Sequence, residues 1–433
     1  MGKVGNTKSG WRGGILSKGC HNILRGCYKV CFGLRGLFYI YIYTPIKVFQ
    51  IRHKRKVKVL FVLSELPLWK TEWLYRRMLA CERFSPILGL TASAEYQKQV
   101  AESAKVRLAE YCRAKGYDFY DVDDNVADCK SAFATDIIFY QKPYDLVYNK
   151  SMVYHKHLSA LFCYALYGFH SVVVDWQIRL PLFKYAWQNY FENELAARPL
   201  RVMRDFKRDN LVITGLPMSD ALLRPKSEYA DPWKQLGKRK RIIYAPHCTI
   251  AGHSAGVDYS TFLVHAENIF ELSQKYKDKV QWAFKPHPLL YSRLLKVWGK
   301  EKTENYYSRW RQHENVQFED GEYAGLFMHS DAMIHDCGSF TIEYHYTGNP
   351  VMYLVKGEGH EGNLNEFAKR AFDLHYKGSS LLDIETFIKN VIDGNDPLRN
   401  DRRQFFEDYL VPPKGKSASE NIIDSILGIN GYR

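Results

Sequence analysis

The sequence predicts two Rossmann-like α/β domains, each built on a parallel sheet, facing each other across a cleft. Three observations predict it. The chain has 433 residues, enough for two separate cores. Apolar runs of strand length alternate with helix-length segments in both halves, the pattern of parallel sheets covered by helices on both faces. Between the halves lies 225–240, PKSEYADPWKQLGKRK, polar and interrupted by Pro and Gly, which reads as a linker. The expected organisation is a basic arm over 1–56, a first domain over 57–224, the linker, and a second domain over 241–433 that includes the C-terminal helices.

The composition, 46% hydrophobic and 25% charged, is that of a folded globular protein. Of the 61 Lys and Arg residues, twelve lie in residues 1–56, which hold no Asp or Glu. The rest of the chain carries 49 basic and 47 acidic side chains, so +12 of the net charge of +14 belongs to the arm. Nine cysteines are scattered without CxxC pairs. They read as reduced thiols of a cytosolic protein, with neither a zinc site nor a disulfide framework.

In the arm, Ile23, Cys27, Val30, Cys31, Leu34 and Phe38 fall at helical spacing, with Lys18, Arg25 and Lys29 on the opposite face. Residues 37–49, LFYIYIYTPIKVF, are aromatic and too short and interrupted to span a bilayer. Arg52, Lys54, Arg55 and Lys56 follow directly. This combination predicts an interfacial anchor on an anionic membrane surface, placing the protein on the inner face of the cell membrane. The competing readings are a disordered basic tail and a nucleic-acid arm. No secretory signal is expected, and Asn6 breaks the myristoylation pattern that Gly2 begins.

In the first domain, strands are expected at 57–64, 87–91, 118–122, 145–148, 171–174 and within 210–223, with helices at 71–82 and 94–115. Parallel sheets bind ligands at the carboxyl ends of their strands. That singles out Glu65, after the first strand, as an acceptor-side residue, and Asp175, after the VVV run. Asp121, Asp123 and Asp124 have the form of a metal-binding DxD. A solvated loop is the expected reading, because no further oxygens converge there.

In the second domain, strands are expected at 241–245, 280–284, 316–318, 332–334 and 351–354, with helices at 260–276, 289–312, 322–329, 340–346 and 364–372 and more helices over 380–430. Three strand ends deliver polar loops: His247-Cys248-Thr249, Lys285-Pro286-His287, and His335-Asp336-Cys337-Gly338-Ser339. A strand that enters Gly-Ser and then a helix collects free backbone N–H groups and the positive helix end at one point, which suits a phosphate. His247 and His287 can donate to the leaving group of a diphosphate, Lys285 supplies charge, and Ser339 adds a hydroxyl. Glu343, one helical turn beyond, is placed to accept from ribose hydroxyls.

Here the chain resembles the CDP-glycerol glycerophosphotransferase family, which builds teichoic-acid-like polymers on the two-domain GT-B fold. The matching features are ITGLPMSD (213–220), IIYAPH (242–247), FKPHP (284–288) and SDAMIHDCGSFTIEYHYTGNPVMYL (330–354), in order over roughly 140–355. The resemblance implies that His287 contacts the donor phosphates and that Gly338, Ser339 and Thr341 cradle the pyrophosphate of a cytidine-type donor, beside Asp336. It implies a polymer or lipid-linked acceptor and no bound metal or other cofactor. The family's Trp-His-Gly-Thr-Pro segment, whose His is the expected base, is replaced by Val173-Val174-Asp175-Trp176-Gln177-Ile178, which leaves Asp175 as the candidate base. Two alternatives stand beside this reading. One is a glycosyltransferase using a nucleotide sugar for capsule or surface polysaccharide, since Lys-Pro-His-Pro and Glu319-Asp320-Gly321 resemble motifs of capsule and polysialic acid transferases. The other is a non-catalytic lipid- or nucleic-acid-binding protein acting through the arm.

Overall fold

The computed structural model describes residues 34–123, 134–144, 157–172, 180–203, 209–234, 237–250, 259–338, 340–356 and 364–432. Strands β1 (Val57–Leu63), β2 (Phe84–Leu90), β3 (Phe119–Asp121), β4 (Ile137–Tyr140), β5 (Leu161–Ala165), β6 (Gln188–Phe191) and β7 (Leu211–Ile213) form one sheet. Its order is β3-β2-β1-β4-β5-β6-β7, and every neighbouring pair is parallel. Strands β8 (Lys240–Ala245), β9 (Val280–Phe284), β10 (Val316–Phe318), β11 (Ala332–His335), β12 (Val351–Leu354) and β13 (Tyr376–Gly378) form the second. Its order is β10-β9-β8-β11-β12-β13, again parallel throughout.

The strands that sequence patterning finds are those buried on both faces. In β1, VKVLFVL, every residue except Lys58 is buried. Such a run fits only a central strand with helices above and below. Apolar residues from opposite faces of this sheet form two separate cores, one around Leu60, Val62 and Phe162, the other around Phe61, Leu74 and Phe139. In both sheets the chain reverses its direction of travel beside the first strand, between β1 and β4 and between β8 and β11. These are the switch points at which open α/β sheets leave a crevice for ligands.

Several expectations change. Strands β4, β5 and β6 were not expected. The apolar stretch around β5, SALFCYALYGF, is equally compatible with a buried helix, and β6 opens with the polar pair Gln188-Asn189. That pair is buried with its polar groups partly satisfied: Asn189 Nδ2 donates to the Phe183 carbonyl at 3.0 Å and Tyr190 Oη donates to Gln188 Oε1 at 2.7 Å, while Asn189 Oδ1 has no partner. The strand expected at 145–148 lies outside the described residues, as do 173–174 of the run expected at 171–174. Val172 forms an isolated antiparallel bridge with Leu364 of the second half.

Both ends of the described chain pack on the first domain. Helix Ala418–Leu427 inserts Ile422 and Ile426 into the core with Leu74 and Met78. Its first amides, from Ala418 and Ser419, donate to the Asp220 carboxylate at 2.8 and 2.9 Å, so the last residue of ITGLPMSD closes the N-terminus of that helix. The C-terminal helices therefore do not all stay with the second sheet, as the boundary 241–433 supposed. At the other end, 39–43 is a π-helical turn leading into helix Thr44–His53. Tyr39 and Ile40 join the first-domain core, and Tyr39 Oη donates to the Ala160 carbonyl at 2.7 Å. Residues 39–53 thus belong physically to the domain from which a boundary at 56 separates them. Of the amphipathic pattern expected over residues 15–38, the part over 15–33 lies outside the described residues.

Candidate active site

Parallel pairing brings the ends of β9, β8 and β11 level. Tyr244 stands opposite both Phe284 and Ile334, and Ala245 opposite His335. The loops that follow therefore emerge side by side at the second switch point, as expected. The imidazoles of His247 and His287 meet edge to face, with centroids 5.0 Å apart. The ring of Tyr259, which sequence reasoning missed, stands 5.5 Å from that of His247.

Backbone amides set the tautomers of both histidines. Leu289 N–H donates to His287 Nδ1 at 3.1 Å, and Thr249 N–H to His247 Nδ1 at 3.3 Å. An Nδ1 that accepts leaves the ring proton on Nε2, so each ring offers an N–H donor. Burial, with the positive field of Arg293, lowers the pKa of His287 to about 4; burial, then His287 and Arg293, lowers that of His247 to about 3. Both are neutral donors at physiological pH. Among the described residues, His247, Cys248 and His287 also form one group whose potential metal-ligating atoms lie within 4.8 Å of one another. A ring whose Nδ1 accepts from an amide and whose Nε2 holds the proton is arranged to donate to an anion, unlike a metal-bound histidine, whose non-ligating nitrogen donates.

Asp336 does not present its carboxylate as a ligand for the donor. It is wholly buried. It accepts from His247 N–H at 2.5 Å, Thr261 N–H at 2.6 Å and Thr261 Oγ1–H at 3.0 Å. It ties the loop after β8 and the start of helix Phe262–Lys275 to the end of β11. Burial raises its pKa to about 6, against the pull of these hydrogen bonds. Thr341 is also turned inward: its hydroxyl donates to the Cys337 carbonyl at 3.1 Å and braces the turn. Gly338 lies under Tyr259, where a Cβ would meet the ring at 3.6 Å, an ordinary contact. Ser339, Asp175 and Asp124 lie outside the described residues.

Lys285 is buried, with Nζ donating to the Gly321 carbonyl at 2.7 Å. Burial lowers its pKa to about 8, with Lys70 adding to the fall and Glu319 and Asp320 opposing it. Glu343 is buried as well, and its Oε2 has no hydrogen-bond partner. Burial raises its pKa, while Lys70 and a bond from Tyr323 lower it. Lys70 comes from the first domain and reaches Tyr323 Oη at 3.5 Å. A second crossing joins Asn365 N–H to the Ser171 carbonyl at 2.9 Å.

On the first sheet, Glu65 is at the switch point but already engaged. Lys142 Nζ reaches it at 2.6 Å, and Tyr96 Oη donates to it at 3.1 Å. The DxD is not a solvated loop. Asp121 and Asp123 converge on the Lys105 ammonium at 3.1 and 3.2 Å, and Asp123 also accepts from Thr91 Oγ1 and Ala92 N–H. A buried lysine fills the place a cation would take.

A family profile for CDP-glycerol:poly(glycerophosphate) glycerophosphotransferases matches residues 188–428, more than half of the chain. The chain belongs to this family. It is a transferase of the CDP-glycerol glycerophosphotransferase type on a GT-B fold. Among solved structures, the wall teichoic acid polymerase TagF has a TM-score of 0.59 at 14% identity, covering 94% of this chain and 96% of that one. UDP-GlcNAc 2-epimerase from Neisseria meningitidis bound to UDP-GlcNAc has a TM-score of 0.53 at 13% identity, covering 86% and 100%. A Listeria monocytogenes structure described as an epimerase of the same kind has a TM-score of 0.53 at 13% identity, covering 86% and 96%. At these identities the structural likenesses speak for the fold alone. No curated protein sequence matches the chain. The family match includes β8 to β13 and every loop of the second switch point, and begins after Asp175.

Proposed function

We propose that this glycerophosphotransferase moves a glycerol-phosphate, or a related polyol-phosphate, from CDP-glycerol to a cell-surface polymer or a lipid-linked acceptor. The observation that carries the reading is the pair of neutral Nε2–H donors at the switch point of the family-matched domain. An acceptor hydroxyl oxygen bonds to the phosphorus that bears glycerol. The bond from that phosphorus to the bridging oxygen breaks, and CMP leaves with the electron pair. His247 and His287 donate to the departing phosphate and Lys285 adds positive charge, a stabilisation that grows as charge builds on the leaving oxygen. The turn 336–339 cradles the diphosphate, and Glu343 accepts from the ribose. Asp175 takes the acceptor proton, and Glu65 lies on the acceptor side.

We further infer that the protein works on the inner face of the membrane. Leu34, Phe38, Tyr41, Ile42, Ile46 and Phe49 recur at helical spacing along 34–49, and each is more than half exposed. An apolar stripe of this length beside exposed Lys54, Arg55 and Lys56 suits an anionic lipid surface. No helix among the described residues is long and apolar enough to cross a membrane.

The deciding experiment supplies the purified full chain with CDP-glycerol, UDP-sugars or CMP-sugars, each with a lipid-linked acceptor, and measures nucleotide release and product. CMP release and chain extension with CDP-glycerol are expected. Turnover of sugar donors alone would refute the phosphotransferase reading.

A further inference from the structure

Nine of the twenty described arginines pair with a carboxylate. Arg77 pairs with Glu420, Arg241 with Asp231, Arg309 with Glu267 and Arg402 with Asp396. Three cations gathered where the domains meet form no such pair with the described residues: Lys70, Arg76 and Arg224. Aromatic rings hold them instead. The Arg76 guanidinium lies 4.5 Å from the centre of the Trp73 ring, and that of Arg224 lies 5.1 Å from the same ring and 4.4 Å from that of Tyr229. The Lys70 ammonium lies 5.1 Å from the Tyr323 ring. Stacking fixes a guanidinium plane without using its N–H edge, which stays available to an anion. Arg224 Nε is buried with no hydrogen-bond partner. The carboxylate nearest in sequence, Glu72, is engaged by the hydroxyls of Tyr111 and Tyr117 at 3.0 and 2.9 Å.

The three cations are not scattered. Lys70 lies beyond the carboxyl end of β1 and supplies the field that lowers the pKa of Lys285 at the donor site. Helix Glu72–Leu79 begins two residues later and carries Trp73 and Arg76. Arg224, the last residue before the linker, comes in to the same indole. Two guanidiniums on one indole, with a lysine between them and the donor loops, suit successive phosphates of one extended chain better than a single small anion.

We propose that Lys70, Trp73, Arg76 and Arg224 form a track for a polyanionic phosphodiester chain, the growing acceptor, leading its end into the cleft. The assignment rests on the transferase reading and names the acceptor as a chain of phosphodiesters held along this flank. The probe is a labelled synthetic oligo(glycerol phosphate), titrated by anisotropy into the full chain and into the Arg76→Gln/Arg224→Gln double variant at several salt concentrations. The double variant is expected to bind at least about tenfold more weakly, since hydrogen bonds to charged groups are the stronger class. Its log–log salt slope should fall by about 0.7 per lost phosphate contact. CDP affinity, measured on the same samples, should be unchanged and reports that the donor domain is folded. Arg77→Gln, whose guanidinium already has a carboxylate, should bind as the wild type does. Binding of the oligomer by the double variant within about twofold of wild type overturns the track. Wild-type binding that depends on these arginines, without any turnover of CDP-glycerol, would overturn the transferase reading and leave the track standing.

Discussion

Asp336→Asn separates the clasp from the chemistry. In the wild type one buried carboxylate accepts three hydrogen bonds, from His247 N–H, Thr261 N–H and Thr261 Oγ1–H. Asparagine keeps one acceptor oxygen and turns an NH₂ group toward an amide, leaving at least one buried N–H unsatisfied, a cost of about 1–3 kcal/mol. It also removes a buried charge. The folded pKa of about 6 lies above the ordinary 3.8, a shift of roughly 2 units, or about 3 kcal/mol at ~1.4 kcal/mol per unit. The sign follows from proton binding. The native state holds this proton more tightly, so the contribution of Asp336 is fully present below about pH 4 and lost as pH rises through about 6. The stability of the wild type minus that of Asp336→Asn should therefore fall by about 3 kcal/mol between pH 4 and 7. Urea unfolding followed through the buried Trp282 and Trp310, both in the second-domain core, reads this difference. CDP affinity of the variant should drop at every pH, because the loop carrying His247 loses its anchor. A stability difference that stays flat with pH would show that the three donors offset burial and that the carboxyl titrates normally. Unchanged CDP affinity would show that the clasp does not position the site.

Four further outcomes follow. Lys285 should lose its charge as pH rises through about 8, so the KM for CDP-glycerol should climb above that pH in initial-rate assays, and Lys285→Met should abolish the climb. Because His247 and His287 are neutral from pH 5 upward, neither should add an acid limb between pH 5 and 7. Lys105→Met leaves Asp121 and Asp123 facing each other and should lower stability by about 1–3 kcal/mol in urea unfolding, the modest range reflecting the partial exposure of Asp121. Phe38→Glu with Phe49→Glu should reduce co-sedimentation with anionic vesicles while leaving turnover of a soluble acceptor analogue unchanged, since both side chains point away from the core.

The loops of the second switch point were legible in the sequence because each follows a strand buried on both faces, and such strands announce themselves as short apolar runs. Parallel pairing then obliges their ends to meet, so His247, His287 and Asp336 could be grouped before any coordinate was known. The first sheet was harder to read: β5 lies in an apolar stretch with no period, and β6 begins with two polar residues that the fold buries, each tied to a neighbour by a hydrogen bond. The sequence alone determined the family, the parallel two-sheet architecture and the identity of the donor loops, since these depend on residue type and order along the chain. The tertiary structure decided how each side chain is used. It turned Asp336 and Thr341 inward, committed Glu65 to Lys142, filled the DxD with Lys105, and set Lys70, Arg76 and Arg224 against the rings of Tyr323, Trp73 and Tyr229. The physical reason is that a side chain's role depends on which partners reach it first, and for Asp336, Glu65 and Lys70 those partners lie tens to hundreds of residues away, where no local pattern records them.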